Sequence, residues 1–430
     1  MNLAIGPLPE RRTAAPASSR LNERVVLQVG VALAASFVVL SLVTGLLPFG
    51  GLHGWTAIHL ALAGATTVAI GTFMPHFGVT LAGTRPEPAS LRLAGVLSLA
   101  LGMAGVALGR PLAGDGVAAV SGILVLIGLG ITAWNTYAPM RSGMFRRHPI
   151  VQLIYGVALG DLTVGTSLAI LFLFGWAPVT SHWIAFKPAH AWLNVFGFVS
   201  LTIAGTLIYL YPTMLGTRIR PHPTMAVAIL GLLFGPPAVA IGAGLEADTI
   251  AMVGGVTTLA GALGLLGYGI EIWSRRGRWA NDLAWHTLTA RHGMAGMAWL
   301  SVTVASALIG LLGDGVAVPG WTIGAMAVPL IGGWALQELV GAWGHLLPAV
   351  GPGDMAAKAR QRDILSRWGT PRVVAWNLGI ATLWPGLGLG VPALIAMGAV
   401  LFGGALVSAI ALLVTALISG ARSSAGRLGT

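Results

Sequence analysis

Residues 123–160 read ILVLIGLGITAWNTYAPMRSGMFRRHPIVQLIYGVALG, which is two apolar runs separated by a short loop with three arginines. Each run belongs to an apolar segment long enough to cross about 30 Å of hydrocarbon, because a helix rises about 1.5 Å per residue. Positive charge is retained on the cytoplasmic side during membrane insertion. The stretch therefore predicts a helical hairpin whose loop, with Arg141, Arg146 and Arg147, faces the cytoplasm.

The same pattern continues in both directions and divides the chain into about twelve predicted spans. They are residues 25–47, 55–74, 91–108, 116–138, 151–176, 189–211, 225–244, 249–273, 293–312, 321–346, 373–389 and 391–417. Basic residues occupy alternate loops and both chain ends, and only Arg110 and Lys187 lie on the opposite side. We therefore predict an all-α polytopic membrane helix bundle that is embedded in a lipid bilayer, with both termini in the cytoplasm (N-in/C-in).

The composition agrees with a membrane protein and excludes several other classes. Hydrophobic residues make up 56% of the chain and charged residues 9%, whereas soluble domains carry about 25% charged residues. The net charge of +11 is spread over cytoplasmic loops, so it does not indicate a nucleic-acid partner. The chain has no cysteine, which excludes disulfides and all-cysteine iron–sulfur clusters.

Outside the spans the chain offers only short segments. Residues 1–23 are polar and rich in Pro, Ala and Ser, without the apolar core of a signal peptide, and we interpret them as a disordered cytoplasmic arm. Residues 24–420 form the predicted twelve-helix transmembrane domain, and residues 421–430 form a basic cytoplasmic tail. The loop 347–372 carries Trp368 among basic residues, a pattern typical of a helix in the headgroup layer.

Histidines near the predicted outer face are candidates for binding a metal or a cofactor. They are His53 and His59 at the start of the second span, and His182 and His190 just before and at the start of the sixth. Six residues turn a helix by about 600°, so His53 and His59 cannot share one face. Two interpretations of His59 stay open. It could donate a hydrogen bond to a neighbouring helix, or it could ligate a haem iron or a copper ion.

Three acidic residues lie within predicted spans, where an unpaired carboxylate is costly. Asp161 lies in the middle of the fifth span and Glu338 in the inner third of the tenth, and we consider both as proton or ion relay residues. The alternative for Asp161 is a protonated acid hydrogen-bonded to a backbone carbonyl. Glu271 precedes Arg275 by four residues, which predicts an ion pair at the cytoplasmic boundary.

Two segments carry a resemblance to a known family. Residues 55–77, WTAIHLALAGATTVAIGTFMPHF, have an early histidine, His59, and end in an HF pair. Residues 188–219, PAHAWLNVFGFVSLTIAGTLIYLYPTMLGTRI, contain HAWLN followed by GTL and PT. These segments resemble membrane proteins related to subunit I of the haem-copper oxidases. More narrowly, they are similar to small bacterial relatives that accompany, or are fused to, copper nitrite reductase-type domains. Residues 333–348 and 372–383 resemble the tenth and eleventh spans of these relatives.

The resemblance implies an oxidase subunit I-like bundle in the bacterial inner (cytoplasmic) membrane. It implies that His59 and His190 bind a cofactor, haem b. The alternative that it implies is a metal ion, copper, bound by His53, His59 and His190. Electrons would pass from quinol towards a periplasmic cupredoxin or nitrite reductase-like partner. Met326 in the tenth span could complete a His/Met ligand pair.

The chain also departs from this family. Trp192 stands where the relatives have the second histidine of HAHLN, and neither the seventh span nor the outer half of the tenth contains a histidine. A binuclear centre that reduces dioxygen is therefore not expected, and whether the protein is an enzyme stays open. Two other functions also stay open, a transporter or channel that uses Asp161 and a scaffold without a cofactor. Glycine- and proline-rich tracts at 235–237 and 385–386 are the sequence feature that would suit the broken helices of a transporter.

Overall fold

The computed structural model describes residues 17–47, 52, 54–141, 149–277, 284–316 and 323–425, and nearly all of them are helical. Helix is the expected form because lipid offers no hydrogen-bond partner to the backbone. The helices, numbered in chain order, are α1 (Ala17–Leu46), α2 (Gly54–Ala82), α3 (Ala89–Ala113), α4 (Asp115–Arg141), α5 (Pro149–Leu173), α6 (Trp183–Met214), α7 (Pro223–Gly244), α8 (Asp248–Ser274), α9 (Ala284–Asp314), α10 (328–350), α11 (Met355–Ser366), α12 (Gly369–Leu389) and α13 (Pro392–Ala425).

Ten of the described helices, α1 to α9 and α13, are long and apolar enough to cross a membrane. The prediction of an all-α, multi-pass membrane bundle is therefore confirmed. Two further helices, α10 and α12, coincide with the predicted tenth and eleventh spans. Helix α12 runs for 21 residues through Pro385, and α7 runs for 22 residues through Pro236 and Pro237. The breaks that would have suited a transporter are thus not present in α7 and α12.

The chain ends differ from the sequence-based boundaries. Helix α1 begins at Ala17, inside the segment 1–23 predicted as a disordered arm, and residues 1–16 lie outside the described part of the chain. Helix α13 continues to Ala425, so it includes half of the predicted tail, and residues 426–430 are not described. The short helix α11 is present within the loop that was predicted to hold a headgroup-layer helix.

Helices α7 and α8 pack with their backbones in direct contact through glycine. A Cβ atom on Gly231 would lie 2.4 Å from the Cα atom of Gly261, and one on Gly261 would lie 2.6 Å from the amide nitrogen of Leu232. Small residues at four-residue spacing let membrane helices approach this closely where no hydrophobic effect drives them together. Glycine also makes the turn from α12 to α13, because Gly390 has a positive φ of 64°.

Helices α2, α6 and α10 each contain an eight-residue π-helical segment, His59–Thr66, Leu193–Ser200 and Val328–Ala335. In the first two segments the hydroxyl group of the last residue donates a hydrogen bond to the backbone carbonyl five residues earlier. These hydrogen bonds are Thr66 to Ala61 at 2.8 Å and Ser200 to Val195 at 2.9 Å. The indole of Trp334 donates to Ser200 at 3.1 Å and so joins the segments of α6 and α10. Such segments are frequent at functional sites.

Candidate functional site

A cavity of about 680 Å³ lies between α2, α3, α4, α5 and α6. It is at the end of the bundle where α2, α4 and α6 begin and α3 and α5 end, which is the end that the charge pattern predicts to face outward. Its walls are mainly apolar side chains such as Leu62, Val125 and Ile170. Cavities of roughly 300–1,000 Å³ with a few placed polar groups are typical ligand sites.

His59 and His190 both line this cavity. The Nδ1 atom of His59 lies 2.8 Å from the backbone carbonyl oxygen of Trp55, and the Nδ1 atom of His190 lies 2.8 Å from that of Gly165 on α5. A carbonyl can only accept, so each Nδ1 carries the proton and each Nε2 is the nitrogen that keeps a lone pair. Histidine ligands of metals are commonly oriented by this contact. The structure thus brings the two residues together in the tautomer that ligation needs.

The position of His190 depends on Gly165. Asn194, one turn after His190, places its amide nitrogen 3.1 Å from Nδ1 and 3.5 Å from Nε2 of His190. A Cβ atom on Gly165 would lie 2.1 Å from the side-chain oxygen of Asn194. Glycine at this position therefore leaves room for the Asn194 amide while its carbonyl accepts the hydrogen bond from His190.

A series of side-chain contacts connects the two histidines at the outer end of the cavity. It runs through Trp55, Arg110, Phe172 and Trp183. The ring centroid of Trp55 lies 3.9 Å from that of His59. The guanidinium carbon of Arg110 lies 5.1 Å from the Trp55 ring and 5.9 Å from the Phe172 ring. Phe172 stacks on Trp183 at 4.1 Å, and Trp183 lies 6.0 Å from the imidazole of His190. These four side chains come from four helices, so no spacing in the sequence links them.

Both basic residues that break the charge pattern of the loops contribute to this cavity. Arg110 and Lys187 are among its lining residues, and Arg110 also donates to Asp115 at 2.9 Å. Positive charge on the predicted outer side is unfavourable for insertion, so a local role is the better explanation. Asp115 neutralises part of the charge of Arg110, and Lys187 adds a second cation, so the cavity lining stays positive and suits a ligand whose apolar body ends in an anionic group.

The other predicted ligands do not join the two histidines. His53 lies outside the described residues. His182 is exposed, and its Nδ1 lies 3.0 Å from the hydroxyl of Ser181. The cavity lining includes Gly324 but neither His182 nor Met326. Over the described ranges, no three histidine, aspartate or glutamate residues form a group that could hold a metal ion.

Asp161 lies behind the wall of the cavity and not in it. Its side chain is buried on α5, one turn before Gly165, and its Oδ2 atom has no hydrogen-bond partner. The carboxyl group packs against Gly197 of α6, where a Cβ atom would lie 2.4 Å from Oδ2. Its neighbour Leu162 lines the cavity. Asp161 itself is not among the lining residues, so its carboxyl group belongs to the contact between α5 and α6.

Glu338 lies between α9 and α10 and belongs to a different part of the bundle. Its side chain is buried, its Oε1 atom has no hydrogen-bond partner, and it packs against Gly293 and Gly296. Asp161 and Glu338 therefore do not form one site. The ion pair predicted between Glu271 and Arg275 is confirmed, with a distance of 2.8 Å.

No protein-family model and no curated protein matches this chain. The resemblance to oxidase-related membrane proteins thus stays a prediction that rests on the motifs in α2 and α6.

Proposed function

We propose that the protein is a haem-binding redox protein of the bacterial inner membrane, built as a twelve-span, N-in/C-in relative of haem-copper oxidase subunit I. It passes electrons from quinol towards a periplasmic cupredoxin or nitrite reductase-like protein. The observation that carries this proposal is the shared cavity of His59 and His190, in which both imidazoles are protonated on Nδ1 and keep the lone pair of Nε2.

The donor set fits haem better than copper. His59 and His190 would suffice to hold one haem, because the porphyrin would supply the other nitrogens. A copper ion on the same two residues would have no third histidine or carboxylate among the described residues. Haem would supply one-electron chemistry when bound, and copper is the second outcome that metal analysis would detect.

The residues of the chain would hold the haem, orient the two imidazole rings and exclude water. The Nδ1–H hydrogen bonds to the carbonyls of Trp55 and Gly165 hold both imidazole rings, and the Trp55 ring lies against His59. The apolar walls would keep water from a bound cofactor. Arg110 and Lys187 would provide positive charge for the carboxylate groups of a haem.

The first test is the visible spectrum of the detergent-purified protein, recorded as a reduced-minus-oxidised difference, with metal analysis on the same sample. We expect a b-type haem signal and about one iron per chain. A preparation expressed with added haem precursor that contains neither iron nor copper would overturn the redox proposal. Copper without haem would retain the site and change the cofactor.

The charge at the cavity mouth makes a second prediction. We expect Arg110→Gln to weaken haem binding roughly tenfold, because a charge-assisted hydrogen bond contributes about 1.5 kcal/mol. Haem titration of the apoprotein measures this. Arg141→Gln serves as the control, because it removes the same charge from the end of α4 that lies away from the cavity. Equal affinities of the Arg110 and Arg141 variants would show that the anionic end of the ligand does not pair with Arg110.

A second candidate function, proton- or ion-coupled transport, is favoured by the buried and unpartnered carboxyl of Asp161. Under the redox proposal we expect Asp161→Asn to keep the full haem content, because the carboxyl does not line the cavity. Haem content and pH-dependent dye fluorescence in proteoliposomes separate the two functions. An ion flux in the wild type that is lost in Asp161→Asn, in protein without haem, would establish transport instead.

A further inference from the structure

A second cavity, of about 510 Å³, lies at the other end of the bundle, between α11 and the last turns of α13. Its lining residues are Arg360, Thr415, Ile418, Ser419 and Arg422. The lining therefore contains two guanidinium groups and two hydroxyls and no acidic residue. We refer to it as the basic groove.

The basic groove is built by the docking of α11 onto α13. Ala357, Gln361 and Leu365 are the buried residues of α11. The amide nitrogen of Gln361 donates to the carbonyl of Ala416 at 3.2 Å and to that of Pro352 at 3.0 Å. These buried contacts hold the neighbouring Arg360 beside α13.

A close approach at Gly420 makes this docking possible. A Cβ atom on Gly420 would lie 2.2 Å from the side-chain nitrogen of Gln361 and 2.4 Å from the carbonyl oxygen of Pro352. The packed backbone contact at Gly420 thus fixes α11 against α13, the two helices that carry the lining residues of the groove.

Among the described residues, no acidic side chain forms an ion pair with either arginine of the basic groove. Within the described part of the chain, the ion pairs are Arg110–Asp115 and Arg275–Glu271, and neither involves Arg360 or Arg422. Guanidinium groups bind phosphate oxygens through paired N–H donors, and nearby hydroxyls add further donors. The chemistry of the groove therefore fits a phosphate ester.

An apolar stripe on α13 leads to the basic groove. Val400, Val407, Val414 and Ile418 are exposed, with relative exposures of 73%, 60%, 46% and 46%. Spacings of seven and four residues place them on one face of the helix. An acyl chain lying on this face would bring its headgroup to Arg422 and Arg360.

We propose that the basic groove binds an anionic phospholipid, with its phosphodiester between Arg360 and Arg422 and an acyl chain along the apolar stripe. Basic pockets between helices at the cytoplasmic membrane surface recognise anionic headgroups in this way. The inference is independent of the haem site, since the two cavities share no residue.

The test is titration of the detergent-purified full-length protein with short-chain phosphatidylglycerol, followed by native mass spectrometry. We expect Arg360→Gln/Arg422→Gln to bind this lipid roughly tenfold more weakly. Arg218→Gln/Arg367→Gln removes two exposed charges from the predicted cytoplasmic side outside the groove, and we expect it to bind as the wild type does. Ser419→Asp keeps both arginines and adds an acid, and it replaces the double variant if that variant does not fold.

Three results would overturn the proposal. Equal weakening in the control double variant would show a general charge effect. Wild-type binding of short-chain phosphatidylcholine as strong as that of phosphatidylglycerol would show that the negative headgroup is not recognised. Inorganic phosphate that competes at equal concentration would identify a free anion, with no contribution from the apolar stripe.

Discussion

His190→Ala is expected to lose the haem. The variant removes one of the two imidazoles that would hold the haem, and loss of a ligand should weaken haem binding at least about 100-fold, more than the loss of a residue that only supports a ligand. The carbonyl of Gly165 would also lose its hydrogen-bond donor. The measurement is the reduced-minus-oxidised spectrum and the haem-to-protein ratio after purification. His59→Ala should give the same result, because both imidazoles line the same cavity.

A matched control is available in the same region. His182 is exposed and does not line the cavity, so His182→Ala should retain the full signal. Added imidazole can enter the space left by His190→Ala and is expected to restore part of the haem spectrum. A haem signal that survives in both His59→Ala and His190→Ala would place the cofactor elsewhere and contradict the assignment.

The largest effect on stability is expected from Gly261→Val. A Cβ atom at this position would lie 2.6 Å from the amide nitrogen of Leu232 and 2.8 Å from the carbonyl carbon of Gly231. Backbone atoms cannot rotate away as a side chain can, so α7 and α8 would have to separate along their contact. Overpacking in a well-packed interior costs about 1–3 kcal/mol or more, and here it would also open the glycine contact on both sides.

Thermal unfolding of the detergent-purified protein tests this prediction. Gly130→Val is the control, because Gly130 lies within α4 and a Cβ atom there would meet nothing within 4 Å. We expect the unfolding midpoint to fall clearly in Gly261→Val and to change little in Gly130→Val. Similar midpoints in the two variants would mean that α7 and α8 tolerate separation.

The helices were largely predictable from the sequence, because crossing hydrocarbon requires a continuous apolar run and a backbone that satisfies its own hydrogen bonds. Ten predicted spans coincide with helices that meet these requirements. The ends were less predictable. The segment before Arg24 is polar, yet α1 begins at Ala17, because a helix can extend beyond the hydrocarbon once its apolar part is fixed.

The candidate site was predictable only in part. A family resemblance points to His59 and His190, and no feature of their spacing shows that they share a cavity. Arg110 and Lys187 are marked in the sequence as the two exceptions to the charge pattern, although the pattern does not place them together. Trp55, Phe172 and Trp183 could not be linked before the structure, because tryptophan and phenylalanine near a membrane surface are ordinary interfacial residues.

The π-helical segment of α2 affects the direction in which His59 points, and so it affects the lining of the cavity. Each residue of a helix advances the facing direction by about 100°, and a wider turn holds one residue more than an α-helical turn does. The segment His59–Thr66 therefore changes the rotation about the helix axis between the residues before it and the residues after it. It lets the first turn of α2 point His59 at the cavity while Gly71 and Gly78, further along, meet Leu99 and Met140. The direction in which His59 points at one end of the bundle is thus set by wider helical turns along the segment that begins with it, whose other residues are uncharged.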